Sequence, residues 1–168
     1  STLVAAELQL RLQSTMALRI APRLPGFEYA GSYAYSLTFV TSGRKRVFRD
    51  LVSARQSEEY LLISAGQYGF QVFAYCFMPD HLHILVAGDQ WSDLKRFAQH
   101  FKQMSGYYHK KSTGEMLWQP SFWDHALRSE EALADVALYI WANPVRAGLA
   151  ESWREHDLSG PRPLPDMT

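Results

Sequence analysis

A chain of 168 residues is long enough to bury one hydrophobic core and too short for several domains of ordinary size. Its 17 basic and 17 acidic residues cancel, which argues against a uniformly basic nucleic-acid binder. The single cysteine, Cys76, excludes an internal disulfide and points to a reducing, cytoplasmic setting, and no apolar run approaches the roughly 20 residues of a membrane span.

Residues 1–16 are rich in alanine and leucine and helical in pattern. Met16 could itself be a start, so residues 1–18 are expected to be an extension outside the fold. Pro22, Pro25 and Gly26 mark an irregular entry. Residues 32–41 place Tyr33, Tyr35, Leu37 and Phe39 at period two, the mark of a half-buried strand. Residues 50–66 predict a helix with Leu51, Ala54, Leu61, Leu62 and Ala65 inward. Residues 70–78 form a strongly apolar strand, Pro79-Asp80 a turn, and residues 81–87 the returning strand of a hairpin. A second long helix spans 94–111. Residues 112–129 are irregular and aromatic, with room for one short strand. Residues 130–142 predict a third helix, with Ser129 as its cap, Glu130 and Glu131 at the positive end of its dipole, and Pro144 stopping it. The proline-rich stretch 159–168 is expected to be a flexible tail. Residues 19–158 then form one domain. This order predicts an α+β fold: a ferredoxin-like split β-α-β sandwich whose antiparallel sheet carries helices on one face.

Charge is segregated along the chain. Residues 94–114 hold Lys95, Arg96, Lys102, Lys110 and Lys111, with His100 and His109 and no acidic residue. Arg44, Lys45, Arg46 and Arg49 form a second cluster, while acids gather at Glu58, Glu59, Glu130, Glu131 and Asp135. A basic face can therefore exist at zero net charge, although a solvated helix explains the same pattern.

His81 and His83 are two apart on a strand, so alternation puts both imidazoles on one face and Leu82, Ile84 and Val86 on the other. Neutral imidazoles are common metal ligands, but two of them cover only one side of an ion, and exposed His-x-His pairs are often inert. In the third helix Leu133, Val136, Ala137, Ile140 and Trp141 make the buried stripe. Tyr139 lies roughly 120° from its centre, and Asn143 follows four residues on along the same flank. Tyrosine can act as a covalent nucleophile. A boundary aromatic and a helix-end amide are the plainer readings of the same two residues.

The segment from Tyr75 through Pro79-Asp80-His81-Leu82-His83 to Val86 resembles the histidine–hydrophobic–histidine strand of IS200-like transposases. Within that family it looks most like the REP-associated tyrosine transposases. The resemblance continues through Leu117-Trp-Gln-Pro-Ser-Phe-Trp-Asp-His-Ala-Leu-Arg128 and ends in Tyr139-Ile-Trp-Ala-Asn-Pro-Val-Arg-Ala-Gly-Leu149; Arg23-Leu-Pro-Gly-Phe-Glu-Tyr29 also fits. It implies that His81 and His83 are the family's metal pair and Tyr139 its nucleophile, forming a 5′-phosphotyrosyl bond. Asn143 stands at the third metal ligand, where other members carry glutamine. It further implies Mg2+ or Mn2+ as cofactor, single-stranded or hairpin DNA as partner, and a monomer, although dimers that exchange the tyrosine helix occur in the wider family. The ion comes from the resemblance alone, because imidazole by itself suits zinc or copper.

Tyr107 and Tyr108 also follow the histidine pair, and they read as packing or base-stacking residues. Lys102, Arg128, Trp118 and Trp123 are candidates for DNA contact, the two tryptophans reading as core ahead of stacking. Three rival functions share these motifs: a relaxase or rolling-circle nickase, a non-cutting module that binds DNA repeats, and a metal-dependent phosphodiesterase with a structural tyrosine.

Overall fold

The computed structural model describes residues 33–127 and 133–164. The expected extension at 1–18, the segment Arg23–Tyr29, and Arg128, Ser129, Glu130 and Glu131 lie outside these residues.

The strands are β1 (Ala34–Val40), β2 (Phe70–Met78), β3 (His81–Gly88), β4 (Trp123–Ala126) and β5 (Ser159–Gly160). The helices are α1 (Leu51–Gln67), α2 (Leu94–Thr113), α3 (Leu133–Trp141) and the single turn α4 (Asn143–Arg146). One antiparallel sheet runs β4-β1-β3-β2-β5. The first four strands are the split β-α-β arrangement, β3 lying between the two strands that α1 connects.

Alternation in the strands builds two cores. Tyr35, Leu37 and Phe39 of β1, Tyr75 and Phe77 of β2, and Leu82, Ile84 and Val86 of β3 pack on α1 and α2 through Leu61, Phe97 and Phe101. Ala34, Cys76, Met78, Leu85 and Ala87 face the other way and pack on α3 through Leu133, Ala134, Ala137, Ile140 and Trp141. A bulge in β2 makes this partition possible. Val72 pairs with Val86 and Ala74 with Leu85, leaving Phe73 as the extra residue.

Asp50 caps α1 through its carboxylate, which accepts from Ser53 N at 3.0 Å. The buried face of α1 is Ala54, Ser57, Leu61, Ser64 and Ala65; Leu51 and Leu62, expected inward, are exposed. A helix that touches its core through small residues sits close to α2 and turns its larger aliphatics outward. Pro144 does not end the helical path. Helix α3 closes at Trp141, and Pro144 occupies the first turn of α4, where its missing N–H costs nothing. The stretch expected to be a loose tail begins as an added strand. Ser159 and Gly160 pair with Cys76 and Tyr75, Trp141 Nε1 donates to Gly160 O at 2.9 Å, and Leu164 is buried. A side chain at 160 would collide with Tyr75, so only glycine fits there. Residues 165–168 lie outside the described residues. No helix among the described residues is long and apolar enough to cross a membrane.

Candidate active site

The β2–β3 turn is pinned from β1. Thr41 N donates to Asp80 O at 3.0 Å, Thr41 Oγ1 donates to the same carbonyl at 2.9 Å, and Phe48 N donates to Pro79 O at 3.0 Å. This holds the first residue of β3, His81, at a fixed height above the sheet. His81 and His83 point away from α1 and α2, on the face that α3 covers further along. Their Nε2 atoms converge at 3.1 Å. The outer nitrogens are both engaged: His81 Nδ1 with Asp80 Oδ1 at 2.6 Å, and His83 Nδ1 with Thr38 Oγ1 at 2.9 Å.

These partners decide where protons sit. Burial pushes the Asp80 carboxyl up, but the His81 hydrogen bond and the His81 and Arg44 charges outweigh it and leave the group below its ordinary value. An ionised Asp80 only accepts, so His81 Nδ1 carries a proton, and a neutral His81 ring would then present Nε2 as a bare lone pair. Burial, then the charges of His81 and Arg146, push His83 down to about 4, so it is neutral at neutral pH. Thr38 can donate or accept. When it donates to Nδ1, His83 Nε2–H bonds to His81 Nε2. When it accepts, His83 Nε2 is bare as well, and a cation held between the two nitrogens would reconcile them.

That is a test of fit for a metal, and the pair passes it. Two nitrogens each about 2.1 Å from one ion, at an angle of about 95°, stand about 3.1 Å apart. Carboxylate and hydroxyl partners on the outer nitrogens are the usual support for ligating histidines. Among the described residues no group of three or more His, Cys, Asp or Glu side chains could hold a metal. The Asn143 amide is the sequence-derived candidate for a third ligand.

Tyr139 lies on α3, on the histidine side of the sheet, and is 62% exposed, whereas its neighbours Ile140 and Trp141 are buried. Tyr107 and Tyr108 lie on α2, which packs on the opposite face; Tyr108 stacks on Tyr60 with centroids 5.0 Å apart. The sheet separates them from the histidines. Asn143 donates through Nδ2 to Ile140 O at 3.2 Å, and its Oδ1 accepts from Arg146 Nη2 at 2.9 Å. Arg146 also donates to Tyr139 O at 2.7 Å and lies 3.8 Å from the Tyr139 ring centroid. The sequence reading gave Arg146 no role. Its signal was spacing alone, three residues beyond Asn143 and seven beyond Tyr139, on one helical flank.

The four DNA-contact candidates part company. Trp118 is buried against Phe39, Phe48 and Phe101, and its Nε1 donates to Ser105 Oγ at 2.8 Å. This is the core placement that was the first reading of this ring, and it leaves the indole little surface for a base. Lys102 is engaged within the chain: its ammonium donates to the Gln119, Pro120 and Ser121 carbonyls at 2.5, 2.7 and 3.2 Å, tying down the loop before β4. Trp123 is 72% exposed. It pairs with Thr38, which pairs with His83, so all three project from one face. Two strand spacings, about 10 Å, separate Trp123 from His83. Arg128 lies outside the described residues.

Fold and site together define a class: a ferredoxin-like domain whose histidine–hydrophobic–histidine strand lies under a helix bearing an exposed tyrosine. Residues 30–140 match the family described as transposase, IS200-like, and the chain belongs to that family. The matched stretch contains His81, His83 and Tyr139 and ends before Asn143. A Haemophilus influenzae protein described as a REP-associated tyrosine transposase is 31% identical over 96 residues, covering 50% of this chain and 54% of that protein. An Escherichia coli REP-associated tyrosine transposase is 27% identical over 79 residues, 47% of each chain. The chain thus spans about half the length of the curated relatives it matches. A solved REP-associated tyrosine transposase bound to a REP hairpin shares the fold, with a TM-score of 0.66 at 18% identity over 83% of this chain and 82% of that one. A Deinococcus radiodurans protein described as a transposase aligns with a TM-score of 0.51 at 26% identity, covering 71% of this chain and 95% of that one.

Proposed function

We propose that this protein is a tyrosine transposase that cuts and rejoins single-stranded or hairpin DNA. One observation carries the reading: two Nε2 atoms converge at 3.1 Å on the sheet face over which the Tyr139 helix lies. Family membership and the REP-associated relatives support it.

In this reading the Tyr139 hydroxyl oxygen attacks a backbone phosphorus. The P–O3′ bond breaks, the 3′-oxygen takes up a proton, and the phenol proton passes to solvent. A 5′-phosphotyrosyl ester remains. It conserves the energy of the broken ester, so a 3′-OH from another strand can reverse the step without an external energy source. His81 Nε2, His83 Nε2 and Asn143 Oδ1 would hold Mg2+ or Mn2+, which when bound supplies polarisation and charge neutralisation at the phosphate. Helix α3 packs on its own chain's sheet, which supports a monomer that completes its site unaided. Trp123 offers an indole for a base beside the scissile phosphate.

The test is incubation with an end-labelled hairpin carrying a single-stranded flank, with Mg2+ or Mn2+, followed by a denaturing gel. A covalent adduct is expected, and Tyr139→Phe should bind the hairpin but form none. Adducts from Tyr139→Phe would refute the nucleophile. Cleavage without adducts would make the protein a hydrolase, and binding without cleavage a recognition module.

A further inference from the structure

Arg146 binds both residues that the proposed chemistry needs from the helical side of the site. One nitrogen, Nη2, donates to Asn143 Oδ1 and to the Tyr139 carbonyl, while the guanidinium lies over the Tyr139 ring. Its charge helps to hold the His83 imidazole down, after burial and His81, and so is felt on the histidine side of the sheet. The Asn143 amide cannot turn freely, because its nitrogen is tied to Ile140 O. Its oxygen is therefore aimed at a guanidinium, which occupies a lone pair and repels any cation approaching the other. Arg146 itself is exposed. Guanidinium prefers a phosphate, which takes two parallel charge-assisted hydrogen bonds, to a neutral amide oxygen, which takes one.

We propose that Arg146 is a latch on the third metal ligand, released by substrate phosphate. This rests on the metal-dependent reading above. Without DNA, the guanidinium holds Asn143 Oδ1. A backbone phosphate arriving at the histidine pair draws the guanidinium to itself, and the amide oxygen, still oriented by Ile140, becomes available to the ion. Cation and DNA binding are then coupled, each tightening the other by the same factor. The design keeps a complete three-ligand site from forming before a strand is in place.

Mn2+ binding, read from the electron paramagnetic resonance signal of the free ion, tests this with and without a six-residue oligothymidylate. The oligonucleotide should tighten Mn2+ binding to the unaltered protein about tenfold, the scale of one charge-assisted hydrogen bond. Arg146→Ala and Arg146→Gln should bind Mn2+ about tenfold tighter without oligonucleotide and gain nothing further from it. Loss of a positive charge alone would also tighten binding, so Asn143→Ala is added to Arg146→Ala. The latch predicts that the gain disappears in the pair; a gain that persists overturns it. Mn2+ binding that requires His81 and His83 but ignores Arg146 overturns the latch alone. No Mn2+ binding by any form, oligonucleotide present, overturns both the latch and the metal-dependent reading.

Discussion

Replacing Thr38 with valine keeps the shape and β-branching of the side chain and deletes one hydroxyl, the partner of His83 Nδ1 at 2.9 Å. The consequence runs through the tautomer of His83. As a ligand, His83 must carry its proton on Nδ1 and present a bare Nε2, and Thr38 accepts that proton's hydrogen bond. Without the hydroxyl, the Nδ1–H form loses its partner in a half-buried setting, at about 1 kcal/mol. The competing form also loses the hydroxyl, as a donor to Nδ1, but keeps its Nε2–H bond to His81 at 3.1 Å and is favoured instead. Removing such an outer partner typically weakens metal binding about 10–100-fold, or about 1.4–2.7 kcal/mol. Valine suits a strand, so urea unfolding should show a loss near 1 kcal/mol or less. Thr38→Ser keeps the hydroxyl and should keep the affinity. The assay is Mn2+ titration of the three proteins at pH 7.5. If Thr38→Val is folded and binds Mn2+ as the unaltered protein does, the tautomer argument fails.

Trp123→Ala should weaken binding of a fluorescent oligothymidylate by about 1–3 kcal/mol, as measured by anisotropy, while leaving the melting temperature unchanged because the indole is exposed; unchanged affinity would remove the indole from the DNA surface. Burial holds His109 below its ordinary value despite the nearby Glu115 and Asp50 charges. The unfolded chain therefore takes up this proton more readily below about pH 6.5, and the folded state loses stability as pH falls. Urea midpoints of the unaltered protein and His109→Gln, taken from pH 8 to pH 5, should run parallel above about pH 6.5 and converge or cross below it. Parallel curves throughout would show that His109 does not contribute.

The sheet was legible because its chemistry is periodic. Tyr35, Leu37 and Phe39 announce one strand, and the same alternation assigns Leu82 and His83 to opposite faces without any tertiary information. Helix α1 was legible in position and partly in orientation: Ala54, Leu61 and Ala65 face inward as expected. Beside Leu61, its buried face is built from the small residues Ala54, Ser57, Ser64 and Ala65, whereas Leu51 and Leu62 turn outward against their apolar signal. The pairing of β5 with β2 was hidden because Ser159 and Gly160 have little strand propensity; Tyr75, needing room across the strand, selects the glycine. Trp118 and Trp123 carry the same side chain five residues apart, and only the β4 pairing separates a core indole from an exposed one.

The two halves of the site are held differently, and the difference fits the proposed work. His81 and His83 sit on central strands, their outer nitrogens anchored by Asp80 and Thr38 and their turn fastened by Thr41 and Phe48. Each contact joins parts of the sheet or its turn, so the imidazoles are set before any ligand arrives. Tyr139, Asn143 and Arg146 instead hold one another, on α3 and a single-turn helix with exposed neighbours Val145 and Leu149. Their contacts are local and exchangeable. In the proposed transfer, a pair anchored by the sheet would hold the ion, and a group with local, exchangeable contacts would release and attack. Chemistry at the fixed half should therefore respond to substitutions at Asp80 and Thr38 through ion affinity, and chemistry at the movable half to substitutions at Arg146 through coupling between ion and DNA.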